Sequence, residues 1–330
     1  MNRPAWVTNL KKYADANAVR ASVQLVDTLL PYGAVLVALF LVLRYDFLPW
    51  LLMIPLTLLA AGFYIRIFIM FHDCAHGSFV HSKRGNRIIG YLTSILTFTS
   101  FDEWRKAHLV HHGTVGNIDR KGTGDIWTMT VAEYGASPSW KRALYRVYRN
   151  PVFLFLVAPF FLFAVMNRFP TVHRSRKENL GILLTDAGIL ALLLLVTFTL
   201  GFRYYALIQL PILYVASGCG LWLFYVQHQF RTAYWSRNAG WDLVRAALEG
   251  SSYYRLPAVL RWFTGNIGYH HIHHLNPLIP NYRLGRCQRE VPELAQVPGM
   301  TVWSSLSSLR WKLYDETRGT MTGFSGQVRA

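Results

Sequence analysis

Five long apolar runs constrain this chain more than any other feature. They cover 27–47, 51–71, 151–166, 180–202 and 205–226, and the stretch from 72 to 150 between the second and third is mostly polar. A helix of about 20 apolar residues crosses the hydrocarbon of a bilayer. Inside that layer each backbone polar group must be satisfied by its own segment or by a closed barrel, so runs of this length predict helices. Hydrophobic residues make up 52% of the chain and charged residues 15%, against roughly 25% charged in an average soluble domain. A core of this size cannot enclose so much apolar side chain, and lipid must cover part of it.

The 34 Lys and Arg outnumber the 17 Asp and Glu, giving a formal charge of +17. The cations lie between apolar runs and not in a basic, aromatic patch of a soluble fold, which argues for positive-inside loops and against nucleic-acid binding. Cys74, Cys219 and Cys287 are odd in number and scattered, so neither a disulfide framework nor a thiolate metal site is expected. Residues 1–26 are polar and basic without the apolar core of a cleavable signal peptide, and insertion is expected to depend on the first internal helix.

The histidines decide how many runs cross. Ten of the 12 fall in four places: His72 and His76 in HDCAH; His108, His111 and His112 in HLVHH; His228 in VQHQF; and His270, His271, His273 and His274 in GYHHIHH. Residues at i, i+3 and i+4 share a helix face, so His72/His76, His108/His111/His112 and His270/His273/His274 each present imidazoles toward one point. Clusters lie before the last three apolar runs and after them, and three crossings would separate them. One run must stay on the starting side. The shortest, 151–166, contains Pro159 and lies between basic segments, so it is expected to be interfacial or re-entrant.

The expected fold is an all-α integral membrane protein of four transmembrane helices, with interfacial helices near 88–100 and 139–150 and a cytoplasmic helical cap holding a di-metal site. One domain spans 1–330: a cytoplasmic segment 1–26, membrane helices over 27–226 with a cytoplasmic insert 72–179, and a cap 227–330 with helical stretches around 241–249 and 300–316.

Neutral imidazole binds iron, zinc, copper or nickel. A structural zinc takes four ligands and a catalytic zinc usually three from protein. His72, His76, His108, His111, His112, His228, His270, His273 and His274 are too many for one ion, and two ions with open positions fit them. His271 falls off the pattern, and His81 and His173 stand alone as surface residues. Such rings need acceptors for their second nitrogens, with Asp73, Asp102, Glu103, Asp119, Asp125 and Asp242 as candidates. No HExxH zinc-protease motif and no serine nucleophile elbow is present.

At these clusters the chain resembles the membrane fatty-acid desaturase and hydroxylase superfamily, whose histidine boxes read HxxxH, HxxHH and HxxHH. The resemblance covers most of 50–290 and is nearest to bacterial acyl-lipid desaturases of the delta-12 (omega-6) type, on FHDCAHGSF, GNIDRKGTGDIWTMTVAEY, FYVQHQFRTAYW and NIGYHHIHHLNPLIPNYRL. It implies a di-iron centre ligated by the box histidines, with His228 as the added ligand before the last box. In related acyl-CoA desaturases an Asn lies one turn before that histidine; here Phe224 stands four residues before His228.

The implied activity is dioxygen-dependent insertion of a cis double bond into an acyl chain of a membrane lipid. Electrons would come from a separate ferredoxin or similar carrier, because no fused redox domain is evident. The implied setting is a bacterial inner membrane with the site on its cytoplasmic side. Trp104, Trp127, Trp235 and Tyr269 are candidates to line the acyl tunnel. Hydroxylation or ketolation of a fatty acid, sterol or carotenoid is the alternative, separable by product mass: gain of oxygen instead of loss of two hydrogens. A metal-binding multi-pass transporter is the non-enzyme alternative, although transport-path histidines are expected at membrane depth.

Overall fold

The structure, a computed structural model, describes residues 4–45, 49–122 and 124–326. The two ends of the chain, residues 46 and 47 of the first predicted span, and Thr123 of the GNIDRKGTGDIWTMTVAEY motif lie outside the described residues.

Four helices are long and apolar enough to cross a membrane: Ala18–Tyr45, Trp50–His76, Arg176–Thr199 and Phe202–His228. At 1.5 Å per residue they are about 36–42 Å long, longer than the roughly 30 Å of hydrocarbon, so some turns project beyond the apolar layer. The first helix begins nine residues before the predicted 27, because hydropathy marks only the lipid-bathed part. Its polar turns are satisfied by protein instead: Gln24 Nε2 donates to Asn281 Oδ1 at 2.9 Å, and Thr28 Oγ1 accepts from Arg66 Nε at 2.9 Å.

The second helix packs between the first and the fourth, with Ala60, Ala61, Ile67, Met70 and Phe71 buried against Leu39, Ile212, Leu213 and Ala216. Small residues at such a crossing let helix backbones approach where lipid gives no hydrophobic drive. The third helix leaves Leu190, Leu194, Leu195 and Phe198 exposed, an outer apolar face suited to lipid.

The run at 151–166 does not form a straight helix. Ser139–Tyr148 and Phe153–Arg168 meet at a bend of 59°, with a π-helical turn at Phe153–Val157. Its turns pack on the fourth helix, where Gly218 leaves room for the carbonyl of Phe155.

Between and after the spans lie Lys83–Leu96, Phe101–Thr114, and short helices at Leu243–Glu249, His270–Leu275 and Asn281–Glu290. The stretch predicted to be helical over 300–316 differs. It holds strand β3 (Gly299–Thr301), short helical turns over 302–310 and strand β4 (Leu313–Asp315). Strand β3 pairs in parallel with β2 (Tyr253–Arg255), and β4 lies between β1 (Met129–Thr130) and β5 (Thr320–Thr322). Pairings of two or three residues give little hydropathy signal, which is why no strand is expected there from the sequence. They fasten the C-terminal segment to the 129–130 loop, with Met129 opposite Leu313. The N-terminal segment joins the same cap, Leu10 and Tyr13 being buried with Ile272, Leu284 and Leu294.

Candidate metal centre

Each histidine box is held by a helix end. The first ends the second spanning helix, which stops one residue later at Gly77 in the left-handed conformation (φ 75°), with Ser78 N donating back to Asp73 O. The second occupies the last two turns of Phe101–Thr114, and the third is the one short helix His270–Leu275. His228 is the last residue of the fourth spanning helix.

These four elements bring nine imidazoles into two groups, His72, His76, His108, His112 and His273 in one, and His111, His228, His270 and His274 in the other. In each group the nearest ring nitrogens lie within 4.8 Å of one another. The expectation that each box addresses one point is therefore corrected. The i+3 residue of the second box, His111, turns to the four-ring group while His108 and His112 face the five-ring group, and His273 leaves its own box to join them. At 100° per residue, i+3 and i+4 point to opposite sides of i, so the box divides between the two imidazole groups.

Several ring nitrogens nearly touch. His72 Nε2 lies 3.0 Å from His273 Nε2, His108 Nε2 3.1 Å from His112 Nε2, and His270 Nε2 2.9 and 3.1 Å from those of His228 and His274. Ligands bound at about 2.1 Å and at right angles to one another stand about 3 Å apart. The Nε2 atoms of His76 and His111 are buried with no hydrogen-bond partner. Neutral rings whose Nε2 atoms converge at these distances offer lone pairs to a common point, a set that a cation completes. Eight of the nine rings are buried, His108 being partly exposed. Outside the spans, burial first and neighbouring imidazoles second hold His112, His270, His273 and His274 well below the ordinary histidine range, and neutral imidazole is the form that ligates.

Two of the six candidate carboxylates reach the rings. His111 Nδ1 donates to Asp125 Oδ1 at 2.6 Å, and His72 Nδ1 to Asp73 Oδ1 at 3.2 Å. Asp125 follows Gly124, whose φ of 76° and whose 2.9 Å approach to the carbonyl of Ala107, measured from a Cβ placed there, exclude a side chain. The other four serve the frame. Asp102 takes the Tyr91 hydroxyl and pairs with Lys177, Glu103 pairs with Arg174, Asp119 with Arg237, and Asp242 caps Leu243–Glu249. Asp102 and Glu103 sit in the first turn of the second-box helix, nearly two turns from His108, too far to touch its ring.

Of the tunnel candidates, Trp104 stacks on His108 with centroids 4.3 Å apart, and Trp235 lines a cleft with Asp125, Phe224 and His228. Trp127 packs on Tyr145 and Tyr148, and Tyr269 on Tyr253, away from the rings. His271 is fully buried but donates from Nε2 to Gln288 Oε1 at 2.9 Å and belongs to neither group. His81 and His173 are exposed.

Three partners of the site escaped sequence reasoning. Asn281 donates to Asp73 Oδ2 from both its backbone N and Nδ2, at 2.7 and 2.8 Å, and Gln24 buttresses Asn281. His228 Nδ1 donates to the Gly250 carbonyl at 3.2 Å. The NPLIPN turn after the last box was the only available signal for Asn281. Phe224, in the place of the expected Asn, packs its ring on His111 and His228.

Spanning helices whose ends carry two all-imidazole groups define a membrane metalloenzyme. The fatty acid desaturase family description matches residues 48–305, and the chain belongs to that family. It is 41% identical to a fatty acid desaturase of Bacillus subtilis (strain 168), over 94% of this chain and 88% of that one. It is 28% identical to the sn-1 acyl-lipid omega-3 desaturase (ferredoxin) of Synechocystis, over 74% of this chain and 70% of that one. It is 27% identical to the chloroplastic sn-2 acyl-lipid omega-3 desaturase (ferredoxin) of Arabidopsis thaliana, over 70% of this chain and 53% of that one. The protein is an oxidoreductase that desaturates acyl chains.

Proposed function

We propose that the protein is a di-iron acyl-lipid desaturase that inserts a cis double bond at the delta-12 position, with the nine clustered histidines as ligands. The observation that carries it is the division of these rings into two groups of converging nitrogens, those of His76 and His111 having no hydrogen-bond partner. All-nitrogen donor sets suit iron as they suit zinc, copper or nickel, and the family's dioxygen chemistry, which requires a redox-active metal, is the ground for choosing iron.

Iron with dioxygen and two electrons supplies the oxidant that removes two hydrogens from neighbouring methylenes, chemistry that no side chain provides. The protein's residues do the rest. Asp125 and Asp73 hold the Nδ1 protons of His111 and His72 and leave each Nε2 as the donor atom. Phe224 and Trp104 lie flat or edge-on against the rings and keep water from them. Trp104, Trp127, Trp235 and Tyr269 are proposed to shape the acyl passage.

A separate ferredoxin-like donor is supported by the ferredoxin-dependent names of two relatives. A bacterial inner membrane with the site on the cytoplasmic side is supported by Arg20, Lys83, Arg84, Arg87, Lys106 and Lys177, which flank the histidine-bearing ends. In this reading one domain spans 1–330, with a cytoplasmic segment 1–26, membrane helices over 27–226 carrying a cytoplasmic insert 72–179, and a cap 227–330. An omega-3 position is the alternative, favoured by the relatives whose names state a position.

Mass spectrometry of membrane lipids from cells expressing wild type or His108→Ala, with double bonds located by derivatisation, tests the proposal. A diene at carbon 12 that is absent in the variant supports it, a new bond three carbons from the methyl end selects omega-3, and a product heavier by one oxygen overturns desaturation.

A further inference from the structure

A cavity of about 390 Å³ opens beside the first spanning helix, lined by Arg20, Gln24, Asp27, Arg66, Arg261 and Asn281 together with Val19, Trp262 and Tyr282. Its volume is within the roughly 300–1,000 Å³ of small-molecule sites. Arg66 is buried on the second helix, with its guanidinium 3.8 Å from the Trp262 ring, and it opposes the one carboxylate of the cavity, Asp27, at 3.6 Å. Arg20 and Arg261 are exposed, and neither side chain has a hydrogen-bond or ion-pair partner among the described residues. The cavity therefore carries two unopposed guanidinium groups.

Its position adds a second constraint. Arg20 and Gln24 lie in the first two turns of a spanning helix, on the histidine-bearing side of the membrane, which is the level of lipid headgroups. The inner wall is Gln24 and Asn281, and Asn281 donates to Asp73, the acceptor for His72. The cavity and the five-ring group thus share a wall of three buried, hydrogen-bonded side chains.

We propose that this cavity seats the phosphate of the lipid substrate's headgroup, with Arg20 and Arg261 as its cationic contacts. The proposal rests on the acyl-lipid reading above. Guanidinium forks match phosphate oxygens in pairs, and Trp and Tyr side chains such as Trp262 and Tyr282 are at home at the interface. The headgroup then fixes the position of the substrate along the membrane plane relative to His72.

The test is native mass spectrometry of the full iron-loaded chain in detergent, equilibrated with dioleoyl phosphatidylglycerol or, as a phosphate-free control, dioleoylglycerol. The fraction of chains carrying phosphatidylglycerol should fall about ten-fold in R20E/R261E, with dioleoylglycerol retention the same in both proteins, and R20K/R261K, which keeps the charge but not the fork, should fall between the two. Equal phosphatidylglycerol retention in wild type and R20E/R261E overturns the proposal. So does displacement of the lipid by an equal concentration of inorganic phosphate, which identifies a free-anion site. Iron content measured on the same samples excludes misfolding. Should the cells make no new double bond while the charge-reversed protein still loses phosphatidylglycerol, the cavity stands and the acyl-lipid assignment falls.

Discussion

The two imidazole groups share the second and third boxes yet are supported differently. The five-ring group draws His72 and His76 from a spanning helix, and its carboxylate, Asp73, lies next to His72 in sequence and is held by Asn281, itself braced by Gln24, both from distant parts of the chain. The four-ring group has one ring, His228, at a span end, and relies on Asp125 from a loop and on the Gly250 carbonyl. The first is anchored in the membrane bundle and the second in the cap. Loss of cap structure should therefore empty the four-ring group first.

The largest expected effect is loss of a ring. His273→Ala and His270→Ala should each lower activity by more than about 100-fold, beyond the 10–100-fold typical for loss of a supporting partner, and each should remove a different ion. Iron quantification with a spectroscopic comparison of the two variants checks this; identical residual spectra would break the division. Next in size are the supports. Asp125→Asn and Asp73→Asn should each cost about 10–100-fold in metal affinity or activity. The Asp73 loss should fall on the five-ring group and be deepened by Asn281→Ala, and metal-competition titrations separate the two.

Gly124→Ala should lower stability by about 1–2 kcal/mol, the cost of a left-handed non-glycine residue, and more where the Ala107 carbonyl cannot yield. Because Asp125 follows it, iron should leave the four-ring group preferentially, as read by thermal melts and metal content. The smallest effect concerns the end of the fourth helix. Fully buried Arg149 binds Tyr225, Gln229 and the Trp311 carbonyl, and Lys312 Nζ donates to the Arg149 carbonyl at 2.7 Å. Burial, with Arg149 nearby, pushes the Lys312 ammonium down to about 8. Between that value and the unfolded one near 10.4, the unfolded chain holds a proton that the folded chain has released. Stability contributed here rises with pH across that window and is lost as pH falls through about 8. Melting of wild type minus Lys312→Met between pH 7.5 and 10 measures it, with a flat difference contradicting the burial of this charge.

The spans were legible because hydropathy over about 20 residues reports contact with lipid directly, and the boxes because i, i+3 and i+4 spacing reports a helix face. The helix ends were less so: Gln24, Thr28, His72 and His228 are polar residues of spanning helices, satisfied by partners far away in sequence. The same limit hid the division of the boxes. Spacing shows that His111 and His112 flank His108, whereas only the positions of His228 and His273 show which imidazole group each joins. Among carboxylates, Asp73 and Asp125 could not be told from Asp102, Glu103, Asp119 and Asp242, since nearness to a box in sequence does not set the direction of a side chain. Asn281 and the pairing of β1 with β4 depend on contacts across more than 150 residues, which no local pattern carries.

Iron stoichiometry of the purified protein, wild type against His270→Ala, tests the central claim most directly. Two irons per wild-type chain falling to one in the variant is the predicted result, in keeping with one ion in each imidazole group. A single iron in the wild type, or loss of both ions together in the variant, would contradict it.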